Sequence, residues 1–589
     1  MTILEKNIQA LLSGVNEPLG NKLLNFIQNK TCSRFNIDEN LNIYDKTHNV
    51  FMYENLEEEL NFFYQSILEK TPRYPFVCIY GIGNALLIKN LAKHYKHLFV
   101  FESEIELFIL ALSTIDLSEE LKVYKVVLFD CVAKDLEIQI AILFDMKDMF
   151  EYLSLYEMFV NNSFYKQFCE KTWCETDEFC KKNIEIVIRN SDINSFFSFL
   201  THGQFLQNIP SMLESIPFQR ILSQRKNKFD NAIVVSAGPS LAKQLPLLKA
   251  CQDKAVIFCA DGALSMLEKE GIVPDYVTNL DFTDLAMKFF QNKENKTSLN
   301  ILSCATHPNV AHSLKAENCM IVLRNKALYQ RFNFNDFGYI DTGTHVSHFS
   351  YTLALALGFK NIIMIGQDLA FDEEGNSHSK GFDFGEKFSG EENIDKLKIP
   401  AYAGKGEVLT HTTWNDYRIK LEYLFACNDQ KAKFYNATEG GARINFTEEL
   451  SFKECCEKLL TKEKPKFELP KSLTKNRSDK LLVKFKEKIQ KDQENAKRFL
   501  DDALALKQIL ENILSKDFIL PLEFLEKVYQ NIENFNHSLD EDEFIQDEVL
   551  RGAFAYRGKL ISDVLKLHIK DETHFITAYI KAYHEWLLY

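Results

Sequence analysis

An apolar run, Ala232-Ile-Val-Val235, passes into Ser236-Ala-Gly-Pro-Ser-Leu241 and then into a helical period that ends near Ala250. In an α/β protein that position gathers unpaired helix amides at the positive end of the helix dipole, so it attracts an anion. Ser236 and Ser240 add hydroxyl donors, and Gly238 permits close approach of backbone to a phosphate. Pro239 suits a first helical turn, where no N–H is sacrificed. With Ala237 these residues form a candidate phosphate loop, which is neither a Walker A sequence nor the three-glycine dinucleotide fingerprint. A structural turn with a capping serine is the competing reading.

Polar tips recur at later strand ends. Asp261-Gly262 closes the next apolar run, 23 residues past Gly238. A carboxylate at that separation often meets a ribose hydroxyl, although an acid there also caps a helix. In Pro274-Asp-Tyr-Val-Thr-Asn-Leu-Asp281, Asn279 and Asp281 are better placed than Asp275 for a ligand at the carboxyl ends of strands. Further on, Gly343-Thr344-His345-Val-Ser347-His348 precedes a helix, Asn361–Ile365 runs into Gly366-Gln367-Asp368, and His378 sits in a polar loop. Histidines beside strand ends suit proton transfer, and they lack the spacing of metal ligands. Asn436-Ala-Thr-Glu439-Gly-Gly441 is a glycine-rich strand end with one carboxylate.

The elements that must position these groups read as two α/β segments and a helical tail. In the first, Phe76–Tyr80 and Leu98–Phe101 are buried strands, Gly81-Ile-Gly83 is a turn, Asn84–His94 a helix and Glu102 a strand-end acid. Val126–Phe129, ending at Asp130, is a later strand. Short apolar runs alternating with helical periods predict parallel sheets covered by helices. The second segment repeats that grammar from Phe229. Beyond the prolines at 465 and 470, apolar or small residues recur at Leu482, Phe485, Ile489, Ala496, Phe499, Ala503, Leu506, Leu510 and Ile513, with Asp492 the polar interruption. That spacing predicts a helix of roughly 35 residues with one buried stripe. The expected fold class is α/β: an N-terminal Rossmann-like domain over 1–200, a doubly wound catalytic domain over 201–450 and an α-helical domain over 451–589.

Composition narrows the partners. Over 589 residues, 69 Lys and Arg against 83 Asp and Glu leave a net charge of −14, which argues against nucleic acid or anionic lipid as a general partner. The 13 scattered cysteines include no C-x-x-C pair and suit reduced thiols in a reducing compartment. The charged N-terminus does not resemble a signal peptide, and no run approaches the ~18 apolar residues that cross a bilayer. A cytoplasmic protein without a transmembrane segment is expected.

The ordered set SAGPSL, CADGAL, PDYVTNLD, GTHVSH, IGQDLAF, NSHSKG and NATEGGA, spread over 236–442, resembles the bacterial motility accessory factor family. Members of that family are flagellin glycosyltransferases whose central domain is similar to hydroxymethylpterin diphosphokinases and to bacterial CMP-sialic acid sialyltransferases. The resemblance implies transfer of pseudaminic or legionaminic acid from its CMP-activated form to Ser or Thr of flagellin. The sialyltransferase loop reads G-N-G-P-S-L, so Ala237 departs from it and removes a side-chain amide. On this reading Ser236–Ser240, Asp261, Gly262 and Asn279 hold the nucleotide, while Thr344, Ser347, Gln367 and Glu439 face the sugar. The base comes from Asp281, His378, His345 or Asp368, with Asp281 and His378 foremost. No obligatory cofactor is implied, and a divalent cation could be accommodated without being called for. Flagellin is the expected acceptor, docking in part through the C-terminal helices. Two other readings stand beside this one: an ATP-dependent pterin pyrophosphokinase using Asp261, Asp275 and Asp281, and a flagellin-binding chaperone without catalysis. The Gly81–Asn84 loop with Glu102 resembles a methyltransferase-like ligand loop or a structural platform.

Overall fold

The computed structural model describes residues 2–133, 136–190, 195–291, 298–388, 395–516, 520–542 and 550–589. It contains two compact units. The first joins Met1–Ser195 to Arg498–Glu541 and Leu550–Tyr589, and the second is built on Phe196–Lys497.

In the first unit, β1 (Phe76–Tyr80), β2 (His97–Glu102), β3 (Val126–Asp130) and β4 (Met158–Val160) form a parallel sheet in the order β3-β2-β1-β4. Every residue of β1 is buried, as a strand covered on both faces requires. The helix expected over Asn84–His94 is shorter, spanning Leu86–Leu91. The helices Leu522–Glu541, Arg551–Leu565 and Glu572–Leu588 place Ile532, Ile561 and Ile580 in one core with Ile79, Phe101 and Leu128. Arg557 also forms a buried ion pair with Glu151 at 2.7 Å. The residues expected to make a separate helical domain over 451–589 are therefore shared between the units. An amphipathic helix needs a partner surface, and the core of the first unit supplies it.

The second unit carries β5 (Asn231–Val235), β6 (Val256–Ala260), β7 (Tyr276–Asn279), β8 (Leu299–Ser303), β9 (Cys319–Arg324), β10 (Tyr339–Ile340), β11 (Asn361–Ile365), β12 (Lys433–Asn436) and β13 (Glu448–Glu449). All pair in parallel, in the order β10-β9-β8-β7-β6-β5-β11-β12-β13. Alternate residues feed two cores. Ile233, Val235 and Ile257 pack with Leu241, Leu245 and Leu248, whereas Ala232, Val234 and Phe258 pack with Phe349, Leu353 and Phe425. The period of two along each strand sends its side chains to both covered faces. Strand order reverses between β5 and β11, the switch point at which open α/β sheets leave a crevice beyond their carboxyl ends.

The long helix spans 40 residues, Lys475–Leu514, with Phe485, Phe499, Leu506 and Leu510 buried along its predicted stripe. Asp492 is buried as well. Its two carboxylate oxygens receive Arg331 Nη1 at 2.8 Å and Nη2 at 2.6 Å, which explains the one acid in the seam.

Candidate functional site

The loops after β5 and β11 meet at the switch point. Ser236 Oγ lies 2.7 Å from Ser347 Oγ and donates to Gln367 Oε1 at 2.9 Å, and Tyr351 donates to the same oxygen at 3.3 Å. Ser347 stands in the first turn of the helix Val346–Ala356, so strand ends β5 and β11 and one helix N-terminus share a single buried polar network.

Asp368, next along from Gln367, turns under the loop after β5. Its Oδ2 accepts Ser240 N–H at 3.2 Å and Ser240 O–H at 2.8 Å. Burial raises this carboxyl to about 6. Gly238 is glycine because of that carboxylate: a Cβ there would stand 2.1 Å from Asp368 Oδ2 and 2.5 Å from the Gly366 carbonyl. The loop amides are similarly committed. Gly238 N–H donates to Gly366 O at 2.8 Å, Leu241 N–H to Gly238 O at 3.1 Å, and Ala242 N–H to Ser379 Oγ at 3.1 Å. The residues expected to cradle a phosphate at Gly238 and Ser240 thus lie against the chain's own Asp368 carboxylate. Pro239 is not in the first helical turn, because the helix starts at Leu241 and Pro239 belongs to the preceding turn.

Beyond β6 and β7, Asp261 Oδ1 accepts Gly262 N–H at 2.7 Å and Asp261 Oδ2 accepts Asn279 Nδ2 at 2.5 Å. Asn279 Oδ1 is buried without a protein partner among the described residues. Asp281 is half-buried and folds back on Thr283, accepting its N–H at 2.8 Å and its hydroxyl at 2.9 Å. Ala237 borders Gly262, whose missing side chain makes room for Phe382. Ser379 N–H donates to Ala237 O at 2.9 Å, so the loop bearing His378 closes over the loops after β5 and β6. Thr344 is exposed. Glu439 accepts Phe452 N–H at 3.0 Å, capping the helix Phe452–Leu459, so its carboxylate does not serve the sugar position expected of it without leaving that cap. Among the described residues no three His, Cys, Asp or Glu side chains group to hold a metal ion.

Burial keeps the histidines neutral: it lowers His345 well below its ordinary value and brings His348, His378 and His411 to about 4. Their hydrogen bonds fix which nitrogen carries the proton. His345 Nδ1 accepts His348 N–H at 3.3 Å, and His411 Nδ1 accepts Trp414 N–H at 3.4 Å. Each neutral ring therefore carries its proton on Nε2, which points as a donor and is buried without a protein partner among the described residues. In this tautomer His345, one of the expected candidate bases, presents an N–H to the site where a base presents a lone pair. His378 is the opposite case. Its Nδ1 lies 3.0 Å from Ser377 Oγ, whose own hydroxyl donates to Phe388 O at 2.6 Å. The ring therefore donates through Nδ1 and leaves the Nε2 lone pair available. It stacks on Phe382 at 4.0 Å and meets the edge of Trp414 at 6.4 Å.

Sequence reasoning missed His411, Trp414 and Tyr417. They lie on or before the helix Thr412–Ala426, where the His411 ring packs at a tilt against Trp414 at 4.0 Å and Tyr417 stacks on His345 at 4.7 Å. A polar residue before a helical period was the available signal, and it marks a cap as readily as a site.

The crevice of the first sheet is filled by its own side chains. Buried Glu102 accepts Tyr165 O–H at 2.6 Å and the amides of Ile82, Ser103 and Glu104 at 3.2, 2.8 and 2.9 Å. Burial raises its carboxyl to about 7. Gly81, at φ 94°, has the Tyr165 ring 2.3 Å from where a Cβ would stand.

Comparison with known proteins places these features in context. The family model described as 6-hydroxymethylpterin diphosphokinase MptE-like matches residues 203–374. No curated protein sequence matches the chain. The solved structure of the MAf glycosyltransferase from Magnetospirillum magneticum AMB-1 is similar with a TM-score of 0.53 at 15% identity, over 100% of this chain and 96% of that one. Along its whole length, then, the chain has the fold of a motility accessory factor glycosyltransferase, the family its central motifs resemble.

Proposed function

We propose that this protein is a glycosyltransferase that moves a nonulosonic acid, pseudaminic or legionaminic acid, from CMP to Ser or Thr hydroxyls of flagellin in the cytoplasm. The observation that carries this reading is the meeting, at the β5/β11 switch point, of paired hydroxyls and neutral imidazoles in a chain with that fold. The acceptor oxygen forms the new bond to the anomeric carbon, the bond from that carbon to the phosphate oxygen breaks, and CMP leaves without needing a strong acid. His378 Nε2 takes the hydroxyl proton. Burial keeps its basicity low, and a donor carrying phosphate and carboxylate charge beside it raises that basicity. The Nε2–H groups of His345 and His411 supply donors for that charge, in place of the loop amides and of the Ser236 and Ser347 hydroxyls, which hold Gln367 beside them. Asp261 and Asn279 serve the nucleoside side. The donor is the only small molecule the reading requires.

Flagellin incubated with the protein and CMP-pseudaminic or CMP-legionaminic acid should gain the mass of one nonulosonic acid per modified residue, with release of CMP. No mass gain from either donor, together with no stabilisation by CMP, would refute the proposal.

The family match over 203–374 gives weak support to a second reading, pyrophosphoryl transfer from ATP to a pterin. Of the three acids expected to hold its magnesium, Asp275 precedes β7 and Asp281 follows it, at opposite ends of that strand and roughly 20 Å apart. Asp275 is also tied to Lys464 at 2.6 Å. Thermal unfolding with CMP and with Mg-ATP separates the two readings, since a nucleotide that binds the folded state raises the transition.

A further inference from the structure

Away from the candidate site, the second unit brings two thiols into contact. Cys251 ends the helix Leu241–Cys251, Cys456 lies on the helix Phe452–Leu459, and their sulfurs are 3.6 Å apart. Both helices are anchored independently of the sulfurs. In the first, Gln244 donates to Thr438 O at 3.1 Å and accepts Gly366 N–H at 3.2 Å; in the second, Leu459 O accepts Asn231 Nδ2 at 2.9 Å and Glu439 caps Phe452. The segment beyond returns past the first helix, with Lys464 N–H donating to Asp253 O at 2.7 Å. With the sulfurs 3.6 Å apart on two anchored helices, a small local movement brings them to the ~2 Å of an S–S bond. Cys251 is buried and Cys456 partly exposed, so a reagent reaches the pair from Cys456. The contact with Cys456, joined by the Lys254 ammonium, favours the Cys251 thiolate, while the Cys456 proton is held more tightly. The Cys251 proton is thus lost first, with the Cys456 S–H donating to the thiolate that remains.

We propose that Cys251 and Cys456 are an oxidisable thiol pair, a modification site at which a small-molecule disulfide is reduced and the two helices become covalently joined. Cys456 attacks the S–S bond of the reagent as its proton passes to the adjacent Cys251 thiolate, which relays it to the departing thiolate. The Cys251 thiolate then attacks the Cys456 sulfur of the mixed disulfide, and the second thiolate leaves. Two electrons pass to the reagent, and the two cysteine protons end on the two thiols released. The new bond braces the helix that begins at the Ser236–Ser240 loop against the helix capped by Glu439.

The folded full chain is incubated with oxidised glutathione, its remaining thiols are blocked with iodoacetamide, and tryptic peptides are mapped without reduction. Trypsin releases Cys251 in Ala250–Lys254 and both Cys455 and Cys456 in Glu454–Lys458. The expected result is a crosslink between these two peptides that a reductant removes, that persists in Cys455→Ser and that disappears in Cys456→Ser. The oxidised protein should also unfold a few degrees higher than the reduced one, and Cys456→Ser should abolish that difference. A crosslink that survives in Cys456→Ser, a bridge between Cys455 and Cys456, or alkylation of both Cys251 and Cys456 after oxidation would each overturn the proposal.

Discussion

Replacing Gly238 by Ala tests how the loop after β5 is built. The added methyl would stand 2.1 Å from Asp368 Oδ2 and 2.5 Å from the Gly366 carbonyl oxygen. Neither neighbour is the loose end of a flexible side chain, because Asp368 is held by two bonds from Ser240 and Gly366 O by the Gly238 amide. Forcing a methyl into packed structure costs about 1–3 kcal/mol. Displacing Asp368 also loses hydrogen bonds to a charged group, worth about 1.5–3 kcal/mol. The expected loss is roughly 3–5 kcal/mol, a drop of about 10 °C in the transition of the second unit. Calorimetry of the full chain reads this directly, and Asp368→Ser in the Gly238→Ala background should recover part of it, since the carbonyl contact remains. Were glycine needed only so that a phosphate could approach, the alanine variant would unfold like wild type and lose protection by CMP alone. An unchanged transition would refute the packing argument.

The other predictions follow from buried charge. His348, held near 4 by burial against an ordinary value near 6.5, makes stability full above pH 6.5 and costs roughly 3 kcal/mol as the pH falls toward 4. His348→Phe should flatten that part of the profile in urea titrations at pH 7.5 and 5, and an unaltered slope would contradict it. Asp368 works in the opposite sense. Its folded value near 6 lies above the unfolded 3.8, so its contribution is full below about pH 4 and lost as the pH rises through 6, again by roughly 3 kcal/mol. Asp368→Asn should remove this decline. Asp492→Leu completes the apolar stripe of the long helix, yet it strands buried Arg331 and should cost about 3–5 kcal/mol, whereas adding Arg331→Met should restore most of the stability. If the single substitution stabilises the protein, the ion pair has been misread.

Period and punctuation were enough to announce two parallel sheets, because strands covered on both faces must be continuously apolar, as Ala232–Val235 and Phe76–Tyr80 are. The same signals found the loops at the carboxyl ends of β5, β6, β7 and β11, and so the neighbourhood of the candidate site. They did not show which groups in that neighbourhood were free. Asp368 looked available as a base because nothing local occupies it, and its partner Ser240 lies 128 residues earlier. His345, His378 and His411 look equivalent as letters, but distinct contacts make two of them Nε2 donors and leave the third a lone pair.

An amphipathic stripe such as Phe485–Leu510 states that a helix must bury one face, and Gly238 states that something must come close. Both statements are local, and the sequence by itself settled them. What lies against the stripe, and what fills the space beside the glycine, depends on segments more than a hundred residues away. Those identities were decided only when the chain closed: Arg331 for Asp492, Asp368 for Gly238, and the core of the first unit for the last three helices. Short-range propensity fixes what each element needs, whereas long-range packing chooses which of many adequate partners supplies it.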